Sequence, residues 1–192
     1  MTNLVLVGPP GAGKGTQAAR ICEKLEIPQI STGEIFRAAI SAGTELGQTA
    51  QSYISKGDLV PDEITDALVR ERLSEPDAKA GFLLDGYPRN LHQVSALDKT
   101  LAGLDAKLDL VIELDIPDAE ITERLLKRAE IENRADDTAE IIRHRILVYH
   151  CTTEPITAAY AERGLLLKVD GTGTIEEVTR RIVQNIRKTL AN

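Results

Sequence analysis

The chain has 192 residues, 42% hydrophobic and 28% charged, a make-up that excludes a disordered or low-complexity polypeptide. With 23 Lys and Arg against 30 Asp and Glu, a net charge of −7 and no Trp, neither a nucleic-acid surface nor a base-stacking platform is expected. No apolar run approaches the roughly 18–20 residues that cross a bilayer, so no membrane association is expected. The opening MTNLVLVGPP lacks the basic stretch of a secretory signal.

In chain order, Asn3 to Val7 (NLVLV) reads as a short buried strand, GPPGAG as a turn, and Lys14 to Leu25 as a helix. Pro28 to Ser31 is a second candidate strand. Thr32 to Leu73 is helical in pattern, with Leu46, Ala50 and Ile54 on one stripe, and is too long for one crossover. A small helical lobe inserted at a sheet edge is expected there. Gly81 to Asp85 (GFLLD), Leu108 to Leu114 (LDLVIEL) and Leu165 to Val169 (LLLKV) read as three further strands.

Helical spacing returns at Ile121 and Leu125, and at Val178, Ile182, Ile186 and Leu190. Between the later helices Ala129 to Asp137 (AEIENRADD) is polar and aperiodic, an expected flap. Pro155 should kink or end the helical stretch 138–162, and Thr174-x-x-Glu177 is a capping-box pattern. Continuous rather than alternating apolar runs indicate strands covered on both faces. With the β-α alternation they imply an α/β fold, a doubly wound, five-stranded parallel sheet. Cys22 and Cys151 have neither metal nor redox spacing and are expected to be packed, reduced thiols of a cytoplasmic protein.

Gly8-Pro9-Pro10-Gly11-Ala12-Gly13-Lys14-Gly15-Thr16 lies between the first strand and its helix. Glycines let consecutive N–H groups curl around a phosphate, the helix N-terminus adds its positive end, and Lys14 can reach the outer phosphates. The generic pattern has a hydroxyl directly after the lysine; here Gly15 stands there and the hydroxyl comes at Thr16. A turn that merely joins strand to helix is the plain alternative. Asp85 closes the third strand, where an acid that organises Mg²⁺ and its waters would stand. Gly86-Tyr87-Pro88-Arg89 follows at the same sheet edge.

GPPGAGKGT, ISTGEIFR (30–37), KGDLVPDE (56–63), GFLLDGYPRN (81–90) and NRADD (133–137) occur in order. Together they resemble an adenylate kinase of the short-lid type, among the P-loop nucleoside monophosphate kinases, over essentially the whole chain. The resemblance implies Mg²⁺-dependent ATP + AMP ⇌ 2 ADP in a monomer. It also implies one kinase domain, 1–192, holding an AMP-binding lobe at 31–60 and a short lid at 128–137. Gly11, Ala12, Gly13, Lys14, Gly15 and Thr16 would hold the ATP phosphates, and backbone near Gly173 the ATP adenine. Thr32, Gln93 and backbone at Asp58, Leu59 and Val60 would contact AMP, together with the turn Gly86-Tyr87-Pro88. Arg37 and Arg89 would clamp its phosphate. Arg124 and Arg128 would face the ATP phosphates, and Arg134 and Arg145 would surround the phosphoryl group in flight. Asp85, through water, and Thr16 would serve Mg²⁺. No four-Cys lid insertion is present, so no structural zinc is expected.

The chemistry fits so many arginines. A phosphate oxygen is already anionic, so no general base is needed, and alignment with neutralisation of charge does the work. Arginine binds phosphate oxygens in pairs and stays charged. His92, His144 and His150 form no cluster and are read as non-catalytic. Thr32 and Gln93 favour adenine over the UMP/CMP kinase alternative, whose members generally have Ala and Asn there. A GTP-binding switch would need NKxD and DxxG motifs, absent at suitable positions. Two further departures are Glu34 for the usual Asp and Asn133 for the usual Gly.

Overall fold

The first apolar run becomes the middle of a sheet. In the computed structural model, which describes residues 2–132 and 138–190 (130–132 by backbone alone), β1 (Thr2–Val7) lies between β3 (Gly81–Asp85) and β4 (Leu110–Asp115). Edge strands β2 (Gln29–Ser31) and β5 (Leu166–Asp170) complete the order β2-β3-β1-β4-β5, parallel throughout. Leu4 pairs with Leu83 on one side and Leu110 on the other, so every residue of the run meets backbone laterally and helices above and below.

The helices are α1 (Lys14–Leu25), α2 (Thr32–Ser41), α3 (Glu45–Ile54), α4 (Asp62–Leu73), α5 (Leu91–Gly103), α6 (Asp118–Glu132), α7 (Ala139–Val148), α8 (Pro155–Glu162) and α9 (Ile175–Leu190). Alternation along the strands sorts the core. Leu4, Leu6, Ile112 and Leu114 pack against Ile21 of α1, Ile121 and Leu125 of α6 and Ile182 of α9. Val5, Val7, Leu84 and Val111 pack against Val69 of α4, Leu97 of α5 and Tyr160 of α8. Helices cover both faces, the doubly wound arrangement. The chain leaves β1 toward one edge and leaves β3 toward the other, so the crevice beyond their C-terminal ends is a topological switch point.

The lobe between β2 and β3 has its own small core of Phe36, Ala50 and Val60, with Leu46 and Ile54 against it. Gly47 permits this packing: an added Cβ would lie 2.2 Å from the Ala39 carbonyl oxygen, so α3 crosses α2 at backbone distance. The Thr174–Glu177 capping box forms as its spacing suggests, the Thr174 N–H donating to Glu177 Oε2 at 2.9 Å and the Glu177 N–H to Thr174 Oγ1 at 3.3 Å.

Three expectations are amended. The aperiodic flap does not begin at Ala129, because α6 continues through Glu132; Ala and Glu are strong enough helix formers to carry it. Asn133 and Arg134 lie outside the described residues. Pro155 does not simply break the stretch 138–162. Tyr149–Thr153 forms a π-helical turn in which Glu154 N–H donates to the Tyr149 carbonyl at 2.8 Å, and Pro155 opens α8, where its missing N–H costs nothing. Cys22 is buried, but Cys151 is exposed on that π turn, whose inward positions belong to Tyr149 and Thr153. Among the described residues no helix is long and apolar enough to cross a membrane.

Candidate active site

The glycine-rich loop follows β1 at the switch point. Gly11 takes φ +80°, and an added Cβ there would lie 2.7 Å from Leu125 Cγ, so the residue serves both the left-handed turn and the packing of α6. No side chain caps α1 at Gly13, which leaves its first N–H groups to an anion. Lys14 Nζ donates to the carbonyls of Gly8 and Pro9 at 2.7 and 2.8 Å. Burial pulls the Lys14 ammonium from 10.5 down to about 7; Asp85 opposes the effect, while Arg89, Arg145 and Arg128 reinforce it. Four cations therefore share one neighbourhood.

Asp85 is 8% exposed at the end of β3, and Ser31 Oγ donates to its Oδ2 at 3.4 Å. An added Cβ at Gly15 would lie 4.0 Å from the same oxygen, so α1 starts beside the carboxylate. Thr16 is exposed on the next position of α1. Among the described residues no three His, Cys, Asp or Glu side chains gather as a metal cage. A single carboxylate beside the glycine-rich loop suits Mg²⁺, which keeps most of its waters and binds through few protein oxygens.

Across the cleft, Gly86 holds a turn with φ +83°, and its carbonyl accepts from Thr32 Oγ1 at 3.0 Å and Arg89 Nε at 2.8 Å. An added Cβ at Gly86 would lie 2.9 Å from Thr32 Oγ1 and 3.1 Å from Arg89, so only glycine lets both approach. The Arg89 guanidinium is held below its usual value by burial first, then by Arg145 and Arg37, with Asp85 opposing. Gln93, 2% exposed, accepts from the Arg89 N–H at 2.8 Å.

The resulting cleft is open to solvent on one side and encloses about 1030 Å³ with that open space included. Lys14, Thr32, Arg37, Arg89, Gln93 and Arg145 line it. Asp58, Leu59, Val60, Gly86 and Pro88 line it as well.

The remaining sequence-nominated residues stand elsewhere. Tyr87 is buried beneath the turn, its hydroxyl 2.7 Å from Asp66 Oδ1 and 3.3 Å from the Gln93 carbonyl, and it does not line the cleft. Arg124 turns to Glu120 on its own helix and donates to the Gly171 carbonyl at 3.1 Å. Gly173, at φ +101°, belongs to the loop after β5 and is not a lining residue. Arg128 joins the site through its charge near Lys14, and Arg134 lies outside the described residues. Gly11, Ala12, Gly13, Gly15 and Thr16 form the loop and first turn beside the cleft rather than its lining.

Phe36, Ile54, Thr65 and Tyr149, none of them expected at the site from the sequence, also line the cleft. The signal existed for two of them: Phe36 follows Thr32, and Tyr149 follows Arg145, by one helical turn. His144 Nε2 is 2.6 Å from Asp58 Oδ1, tying α7 to the lobe across the cleft.

The family model described as adenylate kinase matches residues 6–165. The chain is 58% identical to an adenylate kinase of Thermobifida fusca over 184 residues, covering 96% of this chain and 97% of that one. It is 55% identical to an adenylate kinase of Micrococcus luteus, with 97% and 91% covered. An adenylate kinase of Streptomyces coelicolor is 44% identical over 213 residues, with 96% and 98% covered.

Proposed function

The chain belongs to the adenylate kinase family and is a nucleoside monophosphate kinase, catalysing ATP + AMP ⇌ 2 ADP, and from that premise we propose how its own residues divide the work. The loop from Gly11 to Thr16 holds the ATP phosphates, with Lys14 as the principal cation. Arg37 and Arg89 clamp the AMP phosphate, and Thr32, Gln93, the turn at Gly86 to Pro88 and backbone at Asp58 to Val60 receive its nucleoside. Arg134 and Arg145 surround the phosphoryl group in flight. Arg124, Arg128 and the loop at Gly173 serve the ATP side.

An AMP phosphate oxygen attacks as the anion it already is, so no side chain has to take a proton. Lys14, Arg89 and Arg145 would otherwise repel one another in a confined space, and crowded phosphates relieve that repulsion. Their fixed charges need no reorganisation as charge moves from one nucleotide to the other. Mg²⁺, held through water by Asp85 with Thr16 near it, would supply further neutralisation of the ATP phosphates. Closure of the lobe at 31–60, with the short lid that the family resemblance implies at 128–137, would keep water from the transfer. We assign the protein to the cytoplasm, as a monomer, on its family resemblance.

One observation carries this reading: Lys14, Arg37, Arg89 and Arg145 converge on a single cleft in a chain of net charge −7. Offering AMP, UMP, CMP and GMP in turn with Mg·ATP, and measuring diphosphate formation, tests it. AMP should be used fastest; faster turnover of UMP or CMP would overturn the choice of acceptor.

A further inference from the structure

Gln93 is a buried polar side chain of the acceptor half of the cleft, and its amide cannot turn over. At one end the Arg89 backbone N–H, which only donates, reaches Oε1 at 2.8 Å. At the other, Nε2 donates at 2.7 Å to Oδ1 of Asp62, a carboxylate that only accepts when ionised. Reversing the amide would set donor against donor and oxygen against oxygen in a site 2% exposed. Asp62 is itself held. Asn90 Nδ2 donates to both of its oxygens at 3.0 and 3.2 Å, and His92 Nδ1 lies 3.2 Å from Oδ2. Asn90 Oδ1 meanwhile accepts from the Gln93 N–H at 2.8 Å.

These bonds use one lone pair of Oε1 and one hydrogen of Nε2, and leave one of each for a ligand. A 6-aminopurine presents a donor at its exocyclic amine beside a ring-nitrogen acceptor, the complement of a glutamine amide in one orientation. A 6-oxopurine presents an exocyclic acceptor beside an N1–H donor, the reverse order. An amide free to rotate would serve both. We propose that Asp62 is a positioning residue that locks the Gln93 amide and so makes the acceptor site select 6-aminopurine over 6-oxopurine nucleoside monophosphates. This rests on Gln93 facing the acceptor base, as assigned above.

The test compares AMP with inosine monophosphate, which differs only in the 6-position and the N1 proton. Steady-state kinetics with saturating Mg·ATP are measured for wild type, Asp62→Leu and Asp62→Asn, with a thermal melt of each. In Asp62→Leu the ratio of kcat/KM for AMP over inosine monophosphate should fall at least about tenfold, through a higher KM for AMP. The KM for ATP should stay within about twofold, because uniform damage is not expected at the donor. Asp62→Asn keeps an acceptor oxygen and should retain most of the wild-type ratio. Asp62→Ala, at the first position of α4 where alanine suits a helix, repeats the test if leucine prevents folding. Equal losses for both acceptors in a folded variant, or an unchanged ratio, would overturn the role of Asp62 alone. A wild-type enzyme indifferent between the two acceptors would overturn both this role and the assignment of Gln93.

Discussion

Replacing Lys14 by Met should change how stability depends on pH, in a direction its surroundings dictate. Burial holds the Lys14 ammonium at about 7, against 10.5 in open solution. Between those values the unfolded chain carries a proton that the folded protein has shed, so stability rises with pH across the window. The penalty of burying the charge is fully present below about pH 7 and is gone near pH 10.5. From pH 7 to pH 10 this amounts to at most about 4 kcal/mol, at 1.36 kcal/mol per pH step. Lys14 keeps partial contact with solvent, which reduces the figure to about 2 kcal/mol. Losing the two carbonyl bonds adds an offset that does not vary with pH, since a neutral amine donates as well.

Urea denaturation of both proteins without nucleotide, from about pH 6 to pH 10, reads the difference. Wild type should gain on Lys14→Met by about 2 kcal/mol over that range. A gap constant to within about 0.5 kcal/mol would refute the reasoning, because it would mean that Lys14 keeps its ordinary affinity for protons in the fold.

Arg89→Ala should lower kcat/KM for AMP on the order of 10³-fold, while ATP affinity in a binding titration changes only a few-fold; equal weakening would remove Arg89 from the acceptor clamp. Gly47→Ala puts a Cβ 2.2 Å from the Ala39 carbonyl oxygen and should strain the lobe by about 1–3 kcal/mol. Faster amide exchange across α2 and α3 and a higher KM for AMP, with KM for ATP unchanged, would register it. Thr174→Ala removes one half of the capping box of α9 and should cost about 1 kcal/mol, visible as a melting point lower by about 2–4 °C.

How legible the molecule was depended on the range of the determining contacts. GFLLD was bounded correctly as Gly81–Asp85, and Lys14–Leu25 as a helix, because each has its stop signals inside its own few residues. The strand read as starting at Leu108 begins at Leu110. Asp109 there is taken up by Asn3, its carboxylate accepting from the Asn3 N–H at 2.8 Å, a partner 106 residues away. Lys14, Arg37 and Arg89, which stand in quoted motifs, and Arg145, which the family resemblance implies, line one cleft. Tyr87 was nominated on the same footing, yet its ring goes under the turn to Asp66. Motif membership says that a segment is present, not which way each side chain leaves it.

Spacing and chemistry along the chain were therefore enough for the parallel α/β fold and the family. Each rests on interactions within a turn or on apolar periodicity, which a one-dimensional string records. Tertiary structure alone decided that Asp62 pins Gln93 from 31 residues away, that Asp58 meets His144, and that the wide turn at Tyr149–Thr153 leaves Cys151 exposed. Those outcomes depend on where two helix ends or a lobe and a helix come to rest against each other. The packing of the whole core sets that placement, and no local pattern contains it.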